Sequence, residues 1–214
     1  MSELPPELRE ALGGQWSVLG EYGGGQGHTW RIADPAGREF AFKVLAAGEQ
    51  AVEVSALSSL RHPAIPTVHE VGRLADGRVF VLREHVGGEV PEVLPRAPEV
   101  LLPIVQQLLE VLAFVHLRGI RHLDLKPRNL VIDERGRLHL LDFGLSVRGG
   151  ASGRGGTPFY AAPELLLGAV PDHRADLFSV GAMIAQALWG DRQWSLVRFV
   201  ERFPADDFFV AAGV

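Results

Sequence analysis

Three stretches of this 214-residue chain read as β-hairpins, and their placement limits the fold more than any other feature: WRIADPAGREFAFKVL at 30–45, HEVGRLADGRVFVLREHV at 69–86 and NLVIDERGRLHLLDFG at 129–144. Each is a pair of β-type runs folded about turn-forming residues. Between the first two, Val54, Leu57 and Leu60 recur at helical spacing, and the pattern stops before His62-Pro63, because the residue before a proline disfavours the helical region. The first part is therefore expected to be a sheet with one helix. After Val86-Gly87-Gly88 comes VPEVLPRAPE, which has the composition of a connector. A boundary there divides the chain into a first lobe of about 15–86 and a second of 87–214. In the second lobe Leu101, Leu102, Val105, Leu108, Leu109, Leu112 and Val115 predict a long helix, with Gly119 placed where a C-cap glycine would fall. Asp176 to Trp189 predicts another. The fold class is α+β.

Composition narrows function by exclusion. A net charge of −5 and the lack of any like-charge run give no field that would gather nucleic acid or anionic lipid, so neither is expected as a partner. Without cysteine there is no disulfide framework, no thiolate nucleophile and no thiolate zinc site, and a reducing, cytoplasmic location is expected. The N-terminal MSELPPELREALGG does not look like a secretion signal. Val100 to Val115 is the most apolar run, but Pro103, Gln106, Gln107 and Glu110 interrupt it, so a buried core helix is expected rather than a membrane span.

The candidate chemistry lies in His122 to Asn129, HLDLKPRN. Asp124 and Asn129 sit between the long helix and the third hairpin, and Asp142 lies at the far end of that hairpin, so chain reversal brings all three together. Two carboxylates and an amide make a hard-oxygen cluster suited to Mg²⁺, which binds one or two carboxylates together with substrate phosphates. Lys126 adds a positive charge beside which a phosphoryl group in transfer would be stabilised. Upstream, Gly20, Gly23, Gly24, Gly25 and Gly27 precede the β-like Phe40 to Leu45, and glycines let a backbone approach phosphates closely.

Taken in order, these motifs resemble a eukaryotic-type serine/threonine protein kinase domain over roughly Leu19 to Trp189. The glycine-rich stretch is followed by Ala41-Phe42-Lys43, similar to the strand-lysine motif, and by Glu53, placed as in the family's αC helix. HLDLKPRN resembles the catalytic loop, Asp142-Phe143-Gly144 the magnesium-binding DFG, Gly156-Thr157-Pro158 with Ala162-Pro163-Glu164 the end of the activation segment, and DLFSVG at 176–181 the αF signature.

The resemblance implies a bilobal fold, with an antiparallel sheet plus αC in the N-lobe and a mainly helical C-lobe. It also implies a reaction with ATP and Mg²⁺ on a protein hydroxyl. Asp124 would take the proton of the attacking hydroxyl, Lys126 would steady the phosphoryl group, and Asn129 and Asp142 would hold magnesium. Lys43 would pair with ATP phosphates and with Glu53. Gly23, Gly24, Gly25 and Gly27 would cover the phosphates, and the backbone at Glu84 and Val86 would meet the adenine. His122 is expected to support the loop rather than act as a base. Lys126 and Thr157 match the serine/threonine branch.

Departures from the family shape further expectations. Leu123 replaces the arginine of the usual His-Arg-Asp, so activation by a phosphate, for instance at Ser152, is not expected. Arg83 stands at the gatekeeper position, where burying a guanidinium requires a partner such as Glu53 or another carboxylate. Only residues 191–214 follow the αF-like helix, so the C-lobe is expected to be incomplete after it. Part of the surface of Leu177, Val180, Met183, Ile184, Ala187 and Leu188 should then lie open, to be covered by self-association or by a downstream domain. The alternative readings are a pseudokinase-like nucleotide-binding or scaffolding module and, more distantly, a small-molecule phosphotransferase. Retention of the Ala162-Pro163-Glu164 segment argues against the latter.

Overall fold

A computed structural model of the chain describes residues 5–24, 27–45, 60–143, 147–148, 157 and 159–189. Five strands form one antiparallel sheet: β1 (Ser17–Gly24), β2 (Gly27–Ala33), β3 (Glu39–Leu45), β4 (Val68–Arg73) and β5 (Val79–Glu84). Their spatial order is β1-β2-β3-β5-β4. The expected hairpins at 30–45 and 69–86 are both present, as β2–β3 and β4–β5. Their turns are closed by local chemistry. Asp34 Oδ1 accepts from the backbone N–H groups of Ala36 and Arg38, each at 2.9 Å, and Gly37 takes the left-handed φ of 78° that the reversal demands.

The sheet register decides which residues meet. Opposed residues on antiparallel strands share a face, and the pairs Val44–Phe80, Phe42–Leu82, Trp30–Phe42 and Ile32–Phe40 are buried together in one cluster. That cluster is capped by α1 (Pro6–Leu12), a helix that opens on a proline at its first turn. Its Leu8 is fully buried in the cluster, worth about 1.5–3 kcal/mol by the transfer of such a side chain from water. Glu7 holds Arg78 at 3.1 Å. The first lobe therefore reaches back to about Pro6, earlier than the start near residue 15 read from the sequence. The reason is that a sheet with two apolar faces needs a cover on each, and a helix this short shows almost no periodic signal.

The other sheet face continues into the second lobe. Leu45, Val79 and Val81 belong to the same buried cluster as α2 (Pro98–His116), Phe143 and Met183. The buried residues of α2 are Leu101, Ile104, Leu108, Val111, Leu112 and Val115, a stripe at three- and four-residue spacing. By length and composition α2 could cross a membrane, with a mean hydropathy of 1.5, but this stripe is built into the core and Gln107 ties the helix to the third hairpin. Gln107 Oε1 accepts from Leu138 N at 2.9 Å and its Nε2 donates to Gly136 O at 3.1 Å. The helix is capped by Leu117, and the chain reverses at Gly119, φ 71°. Next come β6 (Ile120–Arg121), a 3₁₀ turn at Pro127–Asn129, β7 (Leu130–Ile132), β8 (Leu138–Leu140), β9 (Val147–Arg148), α3 (Pro163–Leu166) and α4 (Arg174–Trp189). The third expected hairpin is β7–β8. On α4, Val180, Met183 and Ala187 are buried while Leu177 is exposed. The helical pattern expected before Leu60, with Glu53 in it, lies outside the described residues, as do Gly25, Ser152 and residues 190–214.

The connector joins the lobes by backbone. Glu89 N donates to Ile132 O and Ile132 N to Glu89 O, both at 2.9 Å. Gly88 makes this approach possible: its φ is 149°, and a Cβ there would lie 2.4 Å from Ile132 O and 2.8 Å from Val131 Cγ1. Gly88→Ala is therefore expected to destabilise the protein by more than ~1 kcal/mol, since both the backbone conformation and the space refuse a methyl group. Thermal unfolding would report it as a lower midpoint, whereas an unchanged midpoint would mean that the connector shifts freely.

Candidate active site

The cleft between the lobes receives residues from four places in the chain. From the sheet comes Lys43, whose register partner on β5 is Val81. It is buried, and its Nζ donates to Asp142 Oδ1 at 3.2 Å. Asp142 follows β8. Burial alone would push its carboxyl up, but the positive charges of Lys43 and Arg83 outweigh that and hold it below the ordinary carboxylate value. It is thus ionised throughout the neutral range.

The loop after β6 supplies a dense network. Asp124 is buried. Its Oδ2 accepts from Lys126 Nζ at 2.6 Å and from Asn129 Nδ2 at 3.4 Å, and its Oδ1 accepts from Thr157 N and Thr157 Oγ1, each at 3.0 Å. Lys126 also donates to Thr157 Oγ1 at 3.1 Å. Asn129 Nδ2 donates to the Asp124 carbonyl at 2.8 Å, which leaves the Asn129 side-chain oxygen to face another ligand. The two halves of the site are joined by backbone, because Leu141 N donates to Asn129 O at 2.8 Å, placing Asp142 beside the loop. The grouping of Asp124, Asn129 and Asp142 expected from chain reversal is realised in this way.

His122 is a support. It is fully buried and packs tilted against Phe143, ring centres 4.8 Å apart. Leu141 O lies 2.9 Å from its Nε2, and Asp124 N donates to its Nδ1 at 3.3 Å. A carbonyl can only accept, so Nε2 carries the proton and Nδ1 accepts. Such a ring has no nitrogen left for a substrate.

Among the described residues, the non-glycine positions with left-handed φ are Leu123 at 64° and Asp142 at 50°. Strain of this kind persists only where the surroundings over-determine it. At Leu123 the anchor is Asp176 of α4, a fully buried carboxylate that accepts from His122 N at 2.9 Å, Leu123 N at 2.8 Å and His116 Nε2 at 2.7 Å. The Leu123 side chain packs with Ala162, Leu165 and Ala175, a buried apolar setting that cannot hold an anion as an arginine there would.

Asp176 and the hydroxyl of Thr157 are the functional residues that sequence reasoning left out of the site. Their motifs, DLFSVG and the Gly-Thr-Pro, were visible, but separations of 53 and 33 residues gave no local sign of contact. Gly23, Gly24 and Gly27 sit in the β1–β2 hairpin, where Gly24 pairs with Gly27. Glu84 ends β5 and donates its N–H to Thr67 O at 2.8 Å. Among the described residues no backbone hydrogen bond takes up the N–H of Val86. Arg83 is buried and lines the same cavity as Lys43 and Asp142, so among the described residues Asp142 is the carboxylate that faces it.

The donor set fits magnesium by its chemistry: an ionised Asp142 and a free amide oxygen on Asn129 are hard oxygens. Among the described residues no group of three or more His, Cys, Asp or Glu side chains could enclose a metal ion, so an ion held here would draw its remaining ligands from phosphate and water.

Comparison with known proteins agrees with this geometry. The family model for the protein kinase domain matches residues 17–201. Over 150 residues the chain is 39% identical to CBL-interacting protein kinase 30 of Oryza sativa subsp. japonica, covering 64% of this chain and 32% of that protein. Over 205 residues it is 35% identical to the serine/threonine-protein kinase pkn2 of Myxococcus xanthus, covering 84% and 25%. The chain thus spans about a third or less of the length of these relatives. A match running from β1 to beyond α4, with the buried Asp124 network and the Lys43–Asp142 pair both inside it, identifies the chain as a member of the protein kinase domain family.

Proposed function

We propose that the chain is the catalytic part of a serine/threonine protein kinase, which transfers the γ-phosphoryl group of ATP to a hydroxyl of a protein substrate. The observation that carries the reading is the shared hold of Asp124 and Lys126 on the Thr157 hydroxyl, next to the Lys43–Asp142 ion pair. Asp124 holds a hydroxyl through Oδ1 already, which is the contact it would make with an attacking substrate. In the reaction the substrate oxygen forms a bond to the γ-phosphorus, the bond from that phosphorus to the β–γ bridging oxygen breaks, ADP leaves, and the hydroxyl proton passes to Asp124. Lys126 stabilises the charge on the transferring group, and Lys43 holds phosphate oxygens. The N–H of Val86 and the carbonyl of Glu84 face the adenine, and Gly23, Gly24 and Gly27 let the hairpin backbone approach the phosphates.

Asn129 and Asp142 would hold Mg²⁺, which when bound neutralises phosphate charge. The names of the relatives, serine/threonine kinases among them, support the same class. A cytoplasmic location accords with the absence of cysteine. The test is transfer of radiolabel from γ-labelled ATP to a generic basic protein, followed by phosphoamino acid analysis. Label on serine or threonine is expected. Label on tyrosine alone, or none in the presence of Mg²⁺, would overturn the reading.

A further inference from the structure

Arg83 is a charged residue of the cleft for which the reaction above has no use. Its position follows from strand register. Across β3 and β5, Ala41 pairs with Arg83 and Lys43 with Val81, so Lys43 and Arg83 lie on the same face as diagonal neighbours, with Cα atoms typically ~7–8 Å apart. Their chain neighbours Phe42 and Leu82 are buried on the opposite face with Trp30 and Phe80. Neither cation can turn away without exposing that cluster. A guanidinium carries five N–H donors and stays charged at any relevant pH.

The residue is only 9% exposed and, among the described residues, its side chain makes no hydrogen bond, while its nitrogens are not sealed from the cavity it lines. Asp142 opposes it across the cavity, and its carboxyl, raised by burial, is brought below its ordinary value by Lys43 and then by Arg83. Whatever else holds Lys43, Arg83 adds one positive charge to the cleft, with side-chain donors that no hydrogen bond takes up among the described residues. A guanidinium whose donors open on the cavity can take an anion that enters it, in charge-assisted hydrogen bonds.

Resting on the reading of this cleft as a nucleotide site, we propose that Arg83 lets it bind the nucleotide polyphosphate without a divalent metal. The guanidinium supplies charge that the ion would otherwise bring to binding. Transfer itself still calls on Asn129 and Asp142, so metal dependence is confined to turnover and does not extend to affinity. Methionine, with similar reach and no charge, would return the cleft to metal-dependent binding.

The experiment is calorimetric titration of the whole chain with ADP and with a non-hydrolysable ATP analogue, once in EDTA and once in excess Mg²⁺. For the unmodified protein the affinities in the two conditions should agree within ~threefold, which is less than 1 kcal/mol. Arg83→Met should lose roughly tenfold in EDTA, about 1.4 kcal/mol, while its affinity in Mg²⁺ stays within that threefold. Arg83→Lys, which keeps the charge, should lose less in EDTA than Arg83→Met and serves as the readout should the methionine variant fail to fold. Binding by the unmodified protein only in Mg²⁺ overturns this proposal alone. So does an Arg83→Met variant that binds in EDTA as tightly as its parent. Failure of the unmodified protein to bind either nucleotide in either condition overturns the nucleotide-site reading, and this proposal with it.

Discussion

Asp124→Asn is expected to lower turnover by ~10²- to 10⁴-fold, the usual loss on removing a positioned base, with nucleotide affinity nearly unchanged. Asp142→Asn is expected to abolish detectable transfer and to weaken nucleotide binding in Mg²⁺. The two carboxylates are separated by what they touch. Asp124 meets Lys126, Asn129 and Thr157, all in the second lobe, so its loss leaves the Lys43 side of the cleft intact. An amide there also turns an N–H toward either the Lys126 ammonium or the Thr157 N–H, a donor facing a donor, and this loosens the Thr157 contact.

Asp142 meets Lys43 and opposes Arg83, so its neutralisation takes a negative charge from beside two buried cations and removes a hard oxygen. Steady-state kinetics together with nucleotide titration would show the division. Equal transfer by the unmodified protein and Asp142→Asn, or a parallel loss of binding and turnover in Asp124→Asn, would contradict these roles.

Asp176→Ala is expected to cost several kcal/mol of stability and most activity, although Asp176 touches no substrate. Three donors converge on it, two of them the buried N–H groups of His122 and Leu123. A buried donor stripped of its acceptor costs ~1–3 kcal/mol, more where the acceptor is charged. The second of these N–H groups belongs to a residue held at a left-handed φ of 64°, so the loss also releases the strain that sets the direction of Asp124. Against a total stability typical of a domain, about 5–15 kcal/mol, this is a large fraction. Asp176→Asn retains one oxygen for a backbone N–H and should fall between the two. The urea midpoint and the transfer rate should drop together across the series; an Asp176→Ala variant with an unmoved midpoint would mean that the loop holds its shape without α4.

Each feature that local chemistry decides was legible in the chain. The hairpin β2–β3 is closed within residues 34–38 by an aspartate side chain and a left-handed glycine, and turns of this kind are specified by residues a few positions apart. The stripe from Leu101 to Val115 is a periodicity, and the helix that carries it runs from Pro98 to His116, slightly longer than the stripe because its ends bury little. The motif residues Lys43, Asp124, Lys126, Asn129 and Asp142 declared their chemistry by type and order.

What tertiary structure alone decided is who meets whom across long stretches of chain. Lys43 reaches Asp142 over 99 residues, Asp124 reaches Thr157 over 33, and Leu123 reaches Asp176 over 53. None of these separations leaves a periodic trace. The same holds for α1, whose short sequence gains its helix from the apolar sheet face it covers, since so few residues are marginal as a helix in water without packing. It holds equally for Arg83, which the sequence marked as out of place. Only the register of β3 on β5 sets it beside Lys43 and opposite Asp142, because in a sheet the facing of every side chain is settled by pairing between strands and a shift of one residue reverses it.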